Sequence, residues 1–118
     1  MTTKHFTGGF LSVLVLISSV FFGGIASADA IEDGKKVAFD RKKGNCLACH
    51  MIAGGSLPGN IGPPLVAMKL RFPDREVLRS QIWDAAVRNP NTRMPPFGRN
   101  RILTEEEIDL VTDYIQSL

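Results

Sequence analysis

The sequence contains few cysteines, carries no surplus of one charge, and shows no strand pattern. Only two of its 118 residues are cysteine, Cys46 and Cys49, which excludes a framework of several disulfides. The formal net charge of +2 argues against nucleic acid as the main partner. Neither an alternation of apolar and polar residues nor an internal repeat stands out, so we expect an all-α domain.

Long hydrophobic runs are also scarce, and the one present, Phe10–Phe22, lies near the start of the chain. It is short for a spanning helix, which needs about 20 apolar residues. Ala26-Ser27-Ala28 follows it and matches an A-x-A cleavage site, with Asp29 as the new N-terminus. The sequence therefore predicts a signal peptide at 1–28, a domain at 29–118, a periplasmic location and no membrane attachment after cleavage. An uncleaved anchor is the alternative.

The densest cluster of chemically reactive residues is Cys46-Leu47-Ala48-Cys49-His50. This C-x-x-C-H run is the attachment sequence for a c-type haem. Residues three and four apart share a face of a helical turn, so both thiols can form thioethers with one porphyrin while His50 binds the iron. A thioredoxin-like pair would need a βαβ pattern, and a structural zinc site about four ligands. Outside the run only His5 remains as a Cys or His, so we predict one covalent haem c.

A second candidate site is the proline-rich stretch Asn89–Gly98, whose three prolines exclude regular structure. A stiff loop here can present Met94 to the open face of the iron as a soft thioether ligand. Met51 adjoins His50 and should stay on its side of the porphyrin. Met68 lies in an apolar helical context, where a core role is usual. An open or water-bound sixth position is the alternative.

The segment from Ala53 to Pro64 is rich in Gly and Pro, and it predicts a loop over one haem face. Pro63 or Pro64 can offer a carbonyl to the free ring N–H of His50, which would orient the imidazole. A simple turn is the alternative.

Apolar spacing predicts three to five helices around the haem. The first is expected over Ile31–Lys43, a short one over Leu65–Leu70, a third from the Asp74 N-cap to Arg88, and a last one after Thr104. Thr104-x-x-Glu107 is a capping box for that last helix.

Gly34 and Trp83 each allow two interpretations. Gly34 either marks a close helix crossing or shows that the first helix starts later. The last helix should pack on the first near Phe39. Trp83 either donates to a haem propionate or packs in the core or on the surface.

A basic cluster precedes the C-x-x-C-H run. It either steers an anionic partner to the haem edge or is merely a solvated face. Its members are Lys35, Lys36, Arg41, Lys42 and Lys43.

Taken together, these motifs resemble class I cytochrome c, and more narrowly the SoxX subunit of the SoxAX cytochrome complex of sulfur oxidation. Four phrases in order carry the resemblance over the mature chain: 43–50, 57–65, Ile82-Trp83-Asp84 and 94–98. One departure is Ala38, where the general pattern places an aromatic residue after the first-helix glycine.

The resemblance implies the class I fold, covalent haem at Cys46 and Cys49, and axial ligands His50 and Met94. It also implies a heterodimer with a larger SoxA cytochrome, which couples thiosulfate oxidatively to a cysteine of the SoxYZ carrier. The chain would then be the electron-transfer subunit of an L-cysteine S-thiosulfotransferase. The sulfur chemistry would belong to SoxA, and another cytochrome would take the electrons.

Two other functions remain open on the sequence. A free-standing soluble electron carrier would need the same six-coordinate haem but no dedicated partner. A haem-based ligand sensor or peroxidase-like enzyme would need an open sixth position, and carbon monoxide would then bind readily to the reduced protein.

Overall fold

The computed structural model describes residues 1–2 and 26–118, so most of the predicted signal peptide lies outside the described residues. The described part contains four α-helices: α1 Ala28–Phe39, α2 Met68–Arg71, α3 Arg75–Trp83 and α4 Glu105–Gln116. Two 3-10 turns, Cys46–Ala48 and Ala85–Val87, complete the regular structure. The described ranges contain no strand, which confirms the all-α prediction. Among their helices, none has the length and apolar character that a membrane crossing requires.

Helix α1 begins and ends earlier than the predicted Ile31–Lys43. The Ser27 hydroxyl caps its first turn by accepting from the N–H of Ala30 at 3.2 Å. At the other end, the chain turns after Phe39, and Gly44 N–H donates to the carbonyl of Val37 at 3.1 Å. The basic residues after Phe39 therefore lie in a turn and not in the helix.

Helices α1 and α4 cross at Gly34, as one alternative for this residue predicted. A Cβ at this position would lie 2.0 Å from the carbonyl oxygen of Leu110 and 2.8 Å from Cβ of Tyr114. One turn away, the rings of Phe39 and Tyr114 meet edge to face with centroids 6.1 Å apart. The predicted packing of the last helix near Phe39 is confirmed.

The predicted capping box at the start of α4 is also confirmed. The Thr104 hydroxyl accepts from Glu107 N–H at 3.1 Å, and the Glu107 carboxylate accepts from Thr104 N–H at 3.0 Å. The ammonium of Lys43 also donates to the Glu107 carboxylate, which ties the segment before the C-x-x-C-H run to α4. Both contacts lower the pKa of Glu107, the Lys43 bond most strongly.

Helix α3 begins at the predicted cap, where the Asp74 carboxylate accepts from Glu76 N–H at 2.8 Å. It ends at Trp83 and not at Arg88, because Asp84 takes an extended conformation with φ −155° and caps the 3-10 turn that follows. Helix α2 begins at Met68, three residues after the predicted Leu65.

Ion pairs join α3 to α4. Arg79 Nε donates to Asp109 at 2.7 Å and its Nη2 to Glu105 at 2.6 Å. Arg75 Nε donates to Asp113 at 2.5 Å, and its Nη2 lies 3.4 Å from Asp109. The bond from Arg79 is the main reason why the pKa values of Asp109 and Glu105 lie below their ordinary range.

Candidate functional site

A cavity of about 1010 Å³ opens between the C-x-x-C-H segment, α3 and the proline-rich loop. Cys46, Cys49, His50 and Met94 all line it, so the structure brings the four predicted site residues together around one space. Most of the remaining wall is apolar and includes Leu65, Leu78, Ile82, Phe97, Leu103, Val111 and Ile115.

The Cys46–Ala48 turn places the two thiols and the imidazole on the cavity side. Cys49 N–H and His50 N–H both donate to the carbonyl of Cys46, at 3.2 and 2.9 Å. Asn45 precedes the turn in the left-handed region, with φ 47°. Burial raises the pKa of the Cys46 thiol to about 11.

The imidazole of His50 is held by the loop that follows it. Its Nδ1 lies 2.7 Å from the carbonyl oxygen of Pro63, so an Nδ1–H donates there and Nε2 is left free to bind a metal. Gly62 packs flat against the ring, since a Cβ there would lie 2.3 Å from Cε1 of His50. The sequence left Pro63 and Pro64 open as acceptors, and the structure selects Pro63.

Backbone hydrogen bonds hold the loop of residues 53–64, which we call the proximal loop, against the C-x-x-C-H segment. Leu65, the residue after the loop, is held in the same way by Met51. Gly59 N–H donates to Leu47 at 2.7 Å, and Gly62 N–H to Cys49 at 2.8 Å. Leu65 N–H donates to Met51 at 2.9 Å. The loop therefore follows the motif closely, as the prediction of a loop over one face of the site requires.

Two methionines, Met68 and Met94, line the cavity, whereas Met51 does not. Met68 is 2% exposed and belongs to the core, as predicted. Arg71 Nη1 lies 3.3 Å from the Met68 sulfur and donates to the Pro64 carbonyl at 2.9 Å. Since Pro64 adjoins the carbonyl that holds His50, Met68 lies on the His50 side of the cavity.

Met94 comes from a different segment, the distal loop of residues 88–98. Its N–H donates to Thr92 Oγ1 at 3.1 Å, and its side chain is half-buried against the core. Phe97 anchors the loop, since it is 8% exposed and its carbonyl accepts from the N–H groups of Ile102 and Leu103. Met94 is thus the cavity methionine that is not tied to the His50 side.

Trp83 follows one of its two sequence alternatives, and Arg71 makes a contact that the sequence does not predict. Trp83 does not line the cavity, and its Nε1–H donates to Glu105 at 3.1 Å, so the packing alternative is right and the propionate alternative wrong. Arg71 is the last residue of the short helix α2, and this position gives no local signal of the contact with Pro64.

Six basic residues line the cavity, and none of its lining residues is acidic. They are Arg41, Lys42, Lys43, Arg71, Arg88 and Arg93. Part of the predicted basic cluster is engaged within the chain: Lys36 pairs with Asp33 at 2.8 Å, Lys43 pairs with Glu107, and Lys35 lies over the ring of Phe39. Lys43 is thus largely neutralised, but the other five basic residues of the lining still make the cavity more basic than the formal net charge of +2 suggests.

The zinc alternative finds no support in the described residues. Over 1–2 and 26–118, no three side chains of His, Cys, Asp or Glu come together in a way that could hold a metal ion. The nitrogen and sulfur donors at the cavity suit the axial positions of a macrocycle that brings its own four nitrogens.

Comparison with known proteins identifies a matching family. The family model described as cytochrome C oxidase, cbb3-type, subunit III matches residues 29–115. A curated relative from Aquifex aeolicus (strain VF5), named an uncharacterized lipoprotein, is 35% identical over 75 residues. That alignment covers 63% of this chain and 36% of the relative, so the chain spans about a third of that protein.

Proposed function

Because the chain belongs to the family of c-type cytochrome domains described as cytochrome C oxidase, cbb3-type, subunit III, we propose that it carries one covalent haem and transfers electrons. The single observation that carries this proposal is the cavity that Cys46, Cys49, His50 and Met94 share. The described domain is a strand-free helical cytochrome c domain of class I.

The residues around the cavity fit a haem. Its volume of about 1010 Å³ and its apolar wall suit a porphyrin, and thiols, imidazole and thioether are the groups that attach and ligate it. Two thioethers would form at Cys46 and Cys49. Nε2 of His50 and the sulfur of Met94 would be the axial ligands. When bound, the haem supplies a reversible one-electron oxidation and reduction at its iron.

Residues of the chain would set the orientation of His50, the reduction potential of the haem and the access of water to it. The Pro63 carbonyl fixes the tautomer of His50 and raises its basicity. As an iron ligand, the thioether of Met94 would favour the ferrous state and raise the reduction potential. The apolar wall excludes water, and the basic residues at the mouth, such as Arg88 and Arg93, would compensate the charge of the haem propionates.

Met94→Ala tests the axial ligand. We expect loss of the sulfur-to-iron absorption band and a lower reduction potential, because water or no ligand replaces the thioether. Met68→Leu is the matched control, since Met68 also lines the cavity but lies on the His50 side. An unchanged band in Met94→Ala would contradict the assignment, and loss of the band in Met68→Leu would identify the other methionine.

We further propose that the chain is the electron-accepting SoxX-type subunit of a periplasmic SoxAX complex. The four sequence phrases described above support this proposal. In this reading, SoxA couples thiosulfate to the carrier cysteine of SoxYZ. This chain takes up the electrons and passes them to another cytochrome. The basic cavity mouth would favour docking of partners with acidic surfaces.

Purification of the native holoprotein tests the assembly. A SoxX-type subunit should co-purify with a second, larger haem protein, and thiosulfate in the presence of SoxYZ should reduce the haem of this chain. Isolation as a monomer would support the free-standing carrier. Co-purification with a membrane oxidase would instead support the assembly that the family description names. Both latter results would contradict the SoxAX proposal.

A further inference from the structure

The distal loop that carries Met94 is closed at its base by four residues, Trp83, Asp84, Gly98 and Arg99, which we call the loop neck. The carbonyl of Trp83 accepts from Gly98 N–H at 3.0 Å and from Arg99 N–H at 3.4 Å. The carboxylate of Asp84 pairs with Arg99 Nη1 at 3.0 Å. These contacts hold together the two ends of residues 85–97, a segment that contains most of the distal loop.

A close packing contact reinforces these bonds. A Cβ at Gly98 would lie 1.9 Å from Cδ1 of Trp83, so the glycine backbone lies flat against the indole. The indole is fixed on its other side, where Nε1–H donates to Glu105 on α4. The neck is therefore anchored to α4 as well as to α3.

Asp84 is the buried charge of the neck. Its side chain is 5% exposed, whereas that of Arg99 is 54% exposed. One carboxylate oxygen accepts from Ala86 N–H at 3.0 Å, and the other pairs with Arg99. A buried carboxylate that loses a charged partner is costly, so the pair favours the closed neck.

We propose that the Asp84–Arg99 pair is the positioning device that keeps Met94 at the iron, acting together with the Trp83–Gly98 contact. The proposal rests on the proposed role of Met94. The Met94 side chain has no hydrogen bond among the described residues, so its position depends on the loop backbone and on partial packing against the core. A loop with an open neck has many more conformations, and most of them withdraw the sulfur from the cavity.

The test uses the holoprotein with Asp84→Asn and Arg99→Gln. Both variants should keep covalent haem and helix content. We expect a weaker sulfur-to-iron band and carbon monoxide binding to the reduced protein that is about tenfold faster, since binding requires the sulfur to leave. In the double variant the two effects should not add, because both substitutions remove the same pair.

Two further variants keep the test sharp. Arg99→Lys should keep the band and the slow carbon monoxide binding of the wild type, because it retains a positive charge beside Asp84. Arg101→Gln is the matched control, because it also removes one positive charge but at a residue that forms no ion pair within the described part of the chain. It should resemble the wild type. If Asp84→Asn does not fold, the exposed Arg99 variants carry the test alone.

The outcomes separate this proposal from the ligand assignment. A wild-type band and a wild-type carbon monoxide rate in Arg99→Gln would overturn the positioning role. So would an effect of Arg101→Gln as large as that of Arg99→Gln. If Met94→Ala itself leaves the band intact, the axial ligand was misassigned, and that failure belongs to the proposed function.

Discussion

At the scale of single residues, Gly62 shows how the backbone orients the imidazole. Only a glycine lets the loop lie against the ring of His50 while the next residue accepts its N–H. In Gly62→Ala the new methyl group would lie about 2.3 Å from the ring, so ring or loop must shift. We expect a cost of about 1–3 kcal/mol in unfolding free energy. We also expect a higher reduction potential, because a weaker bond to the Pro63 carbonyl leaves the imidazole less basic.

Denaturant unfolding and potentiometry of the holoprotein measure the two effects of Gly62→Ala. Ser56→Ala, at an exposed position in the same loop, is the control and should change neither quantity. A wild-type potential in Gly62→Ala would show that the imidazole tolerates the displacement.

The sequence predicts four residues that the fold does bring to one cavity, and local features of the sequence are enough to identify them. Cys46, Cys49 and His50 lie within one turn, and the prolines around Met94 mark a stiff loop. Arg71 and the loop neck could not be predicted, since their contacts join Arg71 to Pro64 and Asp84 to Arg99 across segments that only the tertiary fold brings together.

At the scale of helices, the crossing of α1 and α4 depends on the absence of a side chain at Gly34. In Gly34→Ala the methyl carbon would lie about 2.0 Å from the Leu110 carbonyl oxygen, and the helices must separate. We expect destabilisation of about 1–3 kcal/mol, although alanine has the higher helix propensity. Thermal unfolding measures it, with Glu32→Ala on the exposed face of α1 as the control. If Gly34→Ala instead gained stability, α1 and α4 would not be packed closely enough at residue 34 to exclude a methyl group.

Helix ends were predicted less well than helix faces. The apolar stripes of α3 and α4 are where the sequence placed them, because burial requires that spacing. The stripe of α3 continues past Trp83 in the sequence, but Asp84 turns the backbone and caps a new turn instead. Similarly, Asp40 ends α1 although the following residues are compatible with a helix.

The ion pairs between α3 and α4 predict sensitivity to acid. The pKa values of Asp109 and Glu105 lie below their ordinary values because they accept from Arg79. Their contribution is therefore complete above the ordinary carboxyl pKa of about 4 and is lost as the pH falls through the lower folded values. We expect unfolding free energy to drop below about pH 4, and less so at high salt.

Arg79→Gln tests that explanation by denaturant unfolding between pH 7 and 3. The variant should lose about 1 kcal/mol near neutral pH and show a shallower acid dependence than the wild type. Lys69→Gln, which makes no ion pair among the described residues, is the control. An acid slope unchanged in Arg79→Gln would assign the sensitivity to other carboxylates.

For the whole molecule, the central cavity implies that the haem is part of the core. A domain of this size buries little apolar surface without its cofactor. We expect Cys46→Ala with Cys49→Ala to abolish covalent attachment, so that acid–organic extraction removes the pigment, and to lower the melting temperature. Each single variant should be intermediate. Haem that resists extraction from the double variant would refute the attachment.

The contact between α1 and α4 joins Gly34 to Leu110, which is 76 residues away in sequence. Such a distant pairing cannot form on a partly synthesised chain. Until α4 has been made, the face of α1 around Gly34 has no helix to pack on. The cavity also lacks the wall that Val111 and Ile115 provide, so a haem at the proposed site would be enclosed only once α4 is in place.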